Sequence, residues 1–530
     1  MPKRVQSIIL SYCSGYTAVG WIAISLILLI YPEVTVANER LAIRRALASI
    51  KSDEIKSHVG VLADDSFEGR ESGRRGGLAA AKYLVGHMQD LQPGTRTGYV
   101  QQFGRGYRNV LGILPGSDEK LKNEYIVIGA HYDHVGYGNR TNSNGPIGYI
   151  HNGADDNASG TASLLELVEA FGTLPTAPRR SVIFAFWDGE EKGLLGSEHW
   201  ASNPTVPFDG VKFLINMDMV GRLTDNRLEV YGYRSAVGLR EILCYANLRP
   251  RLQLNLNWKI DENSDHHSFF RRQVPFLMFH TGLHDDYHTP RDDAHLINNE
   301  GIHRITELAF DTVYNLANLD QIPKVRTASK FETEAQKSKR ESSLPQPRPR
   351  LGVSWRTDNV DGENTFVVTK VHFDGAAHRG GIEVGDRLLS FNDEPIETNP
   401  KFMADVLASS NPANITIRRA NTEEPLQLSI DLDGKPSRLG ISWNESEVEM
   451  GAVMVTRVVA GTPSDAAGIR VADRIWAING KPFQNARQFH ENVTSAELPI
   501  RFLIDRNGIL DEKTVDAITN SQVADSELDD

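Results

Sequence analysis

Apolar residues in the first 320 positions gather into short unbroken runs, and each run stops at a cluster of polar residues. Four of these runs stand out. Tyr125-Ile126-Val127-Ile128-Gly129-Ala130 ends in His131-Tyr132-Asp133-His134. Ser181-Val182-Ile183-Phe184-Ala185-Phe186 ends in Trp187-Asp188-Gly189-Glu190-Glu191. Val211-Lys212-Phe213-Leu214-Ile215 ends in Asn216-Met217-Asp218, and Val274-Pro275-Phe276-Leu277-Met278-Phe279 ends in His280, with His288 close behind. Continuous β-branched and aromatic runs of this length predict strands buried on both faces. Between the first two lies Gly153-Ala154-Asp155-Asp156-Asn157-Ala158-Ser159-Gly160. Leu164, Leu165, Val168 and Phe171 then recur at three- and four-residue spacings, which predicts a turn opening an amphipathic helix. Helix-like and strand-like runs alternate to about Leu319, so the fold class is α/β, with a mixed central sheet flanked by helices. From Asn38 to about Gly86 the pattern is charged and mostly helical, broken by the glycine-rich loop Phe67–Gly73.

The pattern changes after Gln321. Residues 323–348 are polar and rich in Lys, Arg, Ser and Pro, which predicts a flexible, solvated linker. Beyond it the chain repeats itself. Arg350-Leu351-Gly352-Val353-Ser354-Trp355 returns as Arg438-Leu439-Gly440-Ile441-Ser442-Trp443. Gly381-Ile382-Glu383-Val384-Gly385-Asp386-Arg387-Leu388 returns as Gly468-Ile469-Arg470-Val471-Ala472-Asp473-Arg474-Ile475. A period this long predicts two small β-rich domains, at 349–433 and 434–510, ahead of an acidic, disordered tail at 511–530. The large domain then occupies 38–322. The linker's polarity implies that this domain folds and works without the C-terminal half.

Residues 1–37 read differently from all of this. Met1-Pro2-Lys3-Arg4 is followed by a charge-free apolar stretch and by Thr35-Val36-Ala37, the pattern of a signal peptide cleaved before Asn38. The stretch is also long enough to serve as an uncleaved membrane anchor. Both readings place the rest of the chain outside the cytoplasm, whether periplasmic, secreted or anchored. Charge and cysteine usage narrow the chemistry further. The 530-residue chain carries a net charge of −12, and no basic stripe marks its folded segments, which argues against nucleic acid as partner. Only Cys13 and Cys244 are present, and Cys13 lies in the leader, so neither a disulfide framework nor a thiolate zinc site can form.

Each strand delivers His, Asp or Glu at its carboxyl end, where open α/β sheets gather their ligands. Imidazoles combined with several carboxylates suit zinc. The carboxylate-rich set suggests two ions sharing a bridging carboxylate, an arrangement with metals about 3.5–4 Å apart that activates water and polarises a carbonyl. The adjacent Glu190 and Glu191 fit a division of labour in which one ligates while the other takes a proton. A zincin helix and a nucleophile elbow are both missing; His490-Glu491-Asn492-Val493-Thr494 lacks the second histidine.

These motifs resemble the co-catalytic di-zinc aminopeptidase family, which is typified by secreted bacterial leucyl aminopeptidases and includes glutamate carboxypeptidase and glutaminyl cyclase relatives. The resemblance covers about Leu62 to Leu319. It implies the zinc exopeptidase fold and two Zn2+ per chain. His131, Asp156 and Asp218 would hold one ion, and Asp156, Glu191 and His288 the other. Glu190 would be the general base, and Asp133 the partner that orients His131. His134, His151, His266, His267, His280 and His284 receive no role, since a hydrogen-bonded or solvated histidine explains each as well.

The two repeat units resemble PDZ domains of the bacterial periplasmic-protease type. The resemblance implies that Leu351-Gly352-Val353 and Leu439-Gly440-Ile441 bind peptide or protein C-termini through backbone N–H groups, beside a strand edge open to β-augmentation. The leading functional expectation is an exported zinc exopeptidase that removes N-terminal residues from peptides. A carboxypeptidase, a glutaminyl cyclase relative, and a PDZ scaffold with a degenerate peptidase domain remain as alternatives.

Overall fold

The computed structural model describes residues 38–89, 96–360, 363–460 and 462–516. The expected leader or anchor at 1–37 lies outside the described residues, as do positions 517–530 of the expected acidic tail.

The large domain is built on an eight-stranded sheet in the order β1-β2-β4-β3-β5-β8-β6-β7. The strands are β1 (Arg96–Phe103), β2 (Tyr107–Leu114), β3 (Tyr125–His131), β4 (Ser181–Trp187), β5 (Val211–Met217), β6 (Arg227–Tyr231), β7 (Gln253–Leu256) and β8 (Phe276–His280). All four apolar runs are strands, and they form the parallel centre: β4 pairs β3, β3 pairs β5, and β5 pairs β8. Antiparallel β1, β2 and β6 complete a mixed sheet. Every residue of β4 is buried. Val182, Phe184 and Phe186 enter the core on one face, while Ile183, Ala185 and Trp187 enter the other. Burial on both faces is why the sequence shows a run rather than an alternation.

Helices cover the two faces: α1 (38–49), α2 (Ser52–Leu62), α3 (Arg75–Gln89), α4 (Gly160–Gly172), α5 (Leu195–Ser202), α6 (Leu239–Ala246), α7 (His266–Phe270) and α8 (Asn299–Asn318). Strands β3, β4, β5 and β8 run in parallel, so their carboxyl ends, and the polar clusters that follow them, share one rim.

Each repeat unit is a six-stranded antiparallel sheet with two helices. The first contains β9 (Val353–Val360), β10 (Glu363–Val371), β11 (Arg387–Phe391), β12 (Glu394–Pro395), β13 (Ala413–Arg418) and β14 (Leu426–Ile430). The second contains β15 (Ile441–Glu445), β16 (Val453–Val458), β17 (Arg474–Ile478), β18 (Lys481–Pro482), β19 (Ile500–Arg506) and β20 (Ile509–Val515). Strand β20 corrects the tail boundary. Asp511 and Glu512 are exposed, but Leu510 and Val515 are buried and the strand pairs along β19, so the ordered domain runs to Val515.

The linker expectation also needs correction. Positions 323–348 hold α9 (Glu334–Glu341), started by a capping box between Thr333 and Gln336. Several of their charges are partnered rather than solvated, although much of the segment is exposed. Arg234 grips Glu332 through two bonds of 2.6 and 2.8 Å, and Lys337 Nζ donates to Leu256 O at 2.7 Å. On the other side, Leu344 N donates to Thr456 O, tying the same segment to the second repeat unit.

That unit docks directly on the large domain. Arg240 of α6, only 4% exposed, pairs with Asp505 at 2.5 Å and Glu449 at 3.2 Å; Arg474 pairs with Glu449 at 3.1 Å and with Glu341 of α9 at 2.6 Å. Beside these charges, Cys244 packs with Ala452, Trp476 and Leu510. Leu254 N donates to Asn507 O, and Asn247 Nδ2 donates to Gly508 O. The large domain is therefore not an independent half joined by a tether.

Candidate metal centre

The turn at 154–159 separates the two adjacent aspartates. Asp155 turns inward: Oδ1 accepts from Gly221 N at 2.6 Å, and Oδ2 meets His284 at 3.1 Å. Asp156 turns to the rim. Its Oδ1 lies 3.3 Å from His131 Nε2, and its Oδ2 lies 3.0 Å from His288 Nε2. One oxygen facing each imidazole is the arrangement a bridging carboxylate needs. Asp292 fixes the turn by accepting both backbone N–H groups, of Asp155 at 2.9 Å and Asp156 at 3.0 Å.

The other expected residues converge on this carboxylate. Asp218 Oδ1 stands 3.4 Å from His131 Nε2, and its Oδ2 accepts from Ser264 at 2.6 Å. Glu191 Oε2 stands 3.2 Å from His288 Nε2. The ligand atoms form two groups, each within 4.8 Å: His131, Glu190 and Asp218, and His134, Asp156, Glu191 and His288. His288 sits at φ 54°, a costly conformation for a non-glycine residue. Its Nδ1 contacts Asn142 O at 3.0 Å and its carbonyl accepts from Asn144 N, which turns Nε2 toward the Asp156 and Glu191 carboxylates.

The charge balance favours cations. Burial should lower the pKa of His288, yet the Asp156 and Glu191 carboxylates hold it up at about 10. His131 is likewise raised, against burial, by Glu190, Asp218 and Asp156. Burial, together with neighbouring carboxylates that include Asp265, raises Glu190 well above the glutamate range. Negative charge exceeds what two imidazoles can neutralise. Two nitrogens and two further carboxylates around the shared Asp156 fit zinc by donor type.

Asp133 departs in detail from its expected part. Its backbone carbonyl is the atom near His131 Nδ1, at 3.2 Å, while its carboxylate stands off at 3.8 Å. The carboxylate instead accepts from Ser72 at 2.7 Å and from the Glu190 N–H at 3.1 Å. It therefore anchors the turn that carries Glu190.

Sequence reasoning missed two residues here. His134 was given no role, yet its Nδ1 lies 2.7 Å from Glu191 Oε1 and so orients that carboxylate; its position three residues after His131 was the available signal. Arg70, fully buried, bonds to the carbonyls of Leu62, Tyr132, Asn152 and Gly153, binding the aspartate turn to the end of β3. Only the glycine-rich loop around it hinted at that. The other histidines have structural partners: His151 meets Ser143 and Tyr149, His266 meets Asp261 O, and His280 accepts from Gly282 N.

Comparison with known proteins gives these positions a family. Residues 109–313, which hold all five ligand motifs, match the model of Peptidase family M28. Residues 367–419 and 427–494 each match a PDZ domain. The chain carries a peptidase family M28 domain followed by two PDZ domains. Over 241 residues it is 32% identical to an aminopeptidase of Pseudomonas aeruginosa, covering 44% of this chain and 41% of that one. Over 182 residues it is 29% identical to leupeptin-inactivating enzyme 1 of Streptomyces exfoliatus, covering 33% and 36%. The chain thus spans less than half the length of these curated relatives. The LapA aminopeptidase structure of Legionella pneumophila aligns with a TM-score of 0.46 and 22% identity, over 53% of this chain and 76% of that one.

In both PDZ domains the loop expected to meet a peptide carboxylate is backbone in character. Leu351, Val353, Leu439 and Ile441 are buried in their own cores, and the carbonyls of Gly352 and Gly440 accept from His372 N and Val459 N. Gly440 has φ 77°, and a Cβ there would strike Thr462 at 2.3 Å, so the turn requires glycine. In the second domain Leu439, Gly440 and Ile441 border a cavity of 620 Å³ together with Trp443 and Val493.

Proposed function

We propose that the M28 domain is a two-zinc aminopeptidase that releases N-terminal residues from peptides. His131 and Asp218 would hold one ion, Glu191 and His288 the other, and Asp156 both. The observation that carries this reading is the split of Asp156, with one oxygen toward His131 and the other toward His288. Zinc bound there would polarise the substrate carbonyl and make water acidic enough to attack at neutral pH.

The chain's own residues supply the rest. Glu190 is the general base: it takes a proton from the attacking water and returns it to the leaving amine. Its backbone is fixed by Asp133, so its carboxylate enters beside His131 and Asp218 without rearrangement. His134 holds Glu191 in place through the 2.7 Å contact. The names of the curated relatives support aminopeptidase action over the cyclase reading. The PDZ loops would hold peptide or protein C-termini and so raise the local concentration of longer substrates. Placement outside the cytoplasm, secreted, periplasmic or anchored, belongs to the same proposal and rests on the pattern of residues 1–37.

Glu190→Gln tests the mechanism. The variant is expected to keep its metal and substrate affinity while losing about 10²–10⁴-fold in kcat on aminoacyl substrates. N-blocked peptides should be inert with wild-type protein. Near-wild-type kcat in the variant would overturn the assignment of the base.

A further inference from the structure

A second group of metal-binding residue types lies away from the rim, between α2 and α4. Glu54 and His58 are four apart on α2, and Glu166 and Glu169 are three apart on α4. Those spacings put each pair on one helix face. Oxygens of Glu54, Glu166 and Glu169 lie within 4.8 Å of one another. Glu166 is 1% exposed. Its Oε2 accepts from Lys51 N at 2.8 Å, but its Oε1 has no hydrogen-bond partner and stands 3.9 Å from His58 Nε2. The other nitrogen of His58 is occupied by the Tyr83 hydroxyl at 2.7 Å, so Nε2 is the one turned to the carboxylates.

The cluster is short of positive charge. Lys51 Nζ is committed to Glu54 at 2.5 Å on the exposed side. Burial and the neighbouring Glu54 and Glu169 raise Glu166 to about 7. Burial and His87 lower His58 to about 4, leaving a neutral imidazole that can offer a lone pair but no charge. A buried carboxylate oxygen with no partner is costly. A divalent cation would satisfy it and relieve the repulsion among the three glutamates.

We propose that Glu54, His58, Glu166 and Glu169 form a divalent-cation site distinct from the catalytic pair. A carboxylate-dominated set with one imidazole favours Mn2+ over Ca2+, which takes an all-oxygen shell. Such an ion would clamp α2 to α4, the helix that follows the turn presenting Asp156.

The test uses the full chain, already loaded with zinc, titrated with Mn2+ and followed by the electron paramagnetic resonance signal of the free ion. One Mn2+ per chain is expected, accompanied by a rise in melting temperature. Both effects should be lost, with affinity falling at least about tenfold, in Glu54→Gln/Glu169→Gln, while zinc content and kcat stay at wild-type values. These two side chains reach the surface, so the double variant is expected to fold; Glu166→Gln gives a second measurement at the buried position. Absence of Mn2+ binding up to about 1 mM, the upper range of weak carboxylate sites, would overturn the proposal. So would wild-type affinity in the double variant, because the Mn2+ would then be entering the peptidase centre instead.

Discussion

In each PDZ domain an arginine near the end of a strand grips a loop aspartate. Arg419 bonds both oxygens of Asp386 at 2.8 Å and reaches Gly381 O; Arg506 bonds both oxygens of Asp473 at 2.8 Å and reaches Gly468 O. The two interiors are held alike, but the outer surfaces are not. The cross-strand pair Arg474 and Asp505 of the second domain corresponds to Arg387 and Arg418 of the first. Arg474 and Asp505 are buried against the peptidase domain, whereas Arg387 and Arg418 are exposed. One change of charge sign, Asp for Arg, accompanies the difference: Asp505 attracts Arg240, and an arginine there would repel it. A repeated fold therefore need not repeat its role. The second domain is built into the large domain's structure, and the first leaves the equivalent arginines exposed.

Removing the central charge should break this contrast most strongly. Arg240→Ala leaves Asp505 and Glu449 buried without their common partner, which costs about 3–5 kcal/mol. The equivalent surface change, Arg387→Ala, should stay within about 0.5 kcal/mol. Thermal or denaturant unfolding of both variants measures the gap, and equal effects would mean that the second domain is not docked.

Acid should separate the two domains next. Burial would raise Glu449, but Arg474 and Arg240 outweigh it and hold the carboxyl down at about 2. Its folded pKa is therefore depressed below the unfolded value. Its stabilisation is complete above the ordinary glutamate range of about 4.3 and is lost as pH falls toward about 2. Amide exchange across that window is expected to show protection failing along α6 and in the second PDZ domain before the first. The reverse order would contradict the interface.

The smallest effect concerns a turn. Ala472 holds φ 71° where the first domain has Gly385 at φ 96°. Ala472→Gly should relieve left-handed strain worth about 1 kcal/mol and bring the second domain's turn level with the first's. Chemical denaturation reads the gain, and a loss of stability would mean that the alanine methyl makes a compensating contact.

Much of the peptidase half was legible because its strands are buried on both faces, which makes runs such as Ile126–Ala130 conspicuous and places chemistry at their ends. The choice of Asp156 over Asp155 came from the motif, and its physical reason, Asp292 and Gly221 claiming the backbone and the other carboxylate, lies far along the chain. His134 offered only its place three residues after His131, and a histidine there looks the same whether it is solvated or holds a carboxylate. The charges around 323–348 read as solvated for a related reason. Glu332, Glu334 and Glu341 show their partners Arg234, Trp258 and Arg474 only once the chain is folded. Periodicity revealed the repeat, but not which copy docks.

The central claim is that one carboxylate, Asp156, serves two zinc ions. Elemental analysis of purified wild-type protein and Asp156→Ala, each dialysed against the same zinc buffer, tests it most directly. About two zinc ions per chain are expected in the wild type, with both lost or sharply reduced in the variant while circular dichroism stays native. A single tightly held ion in the wild type, or loss from only one position in the variant, would contradict the account.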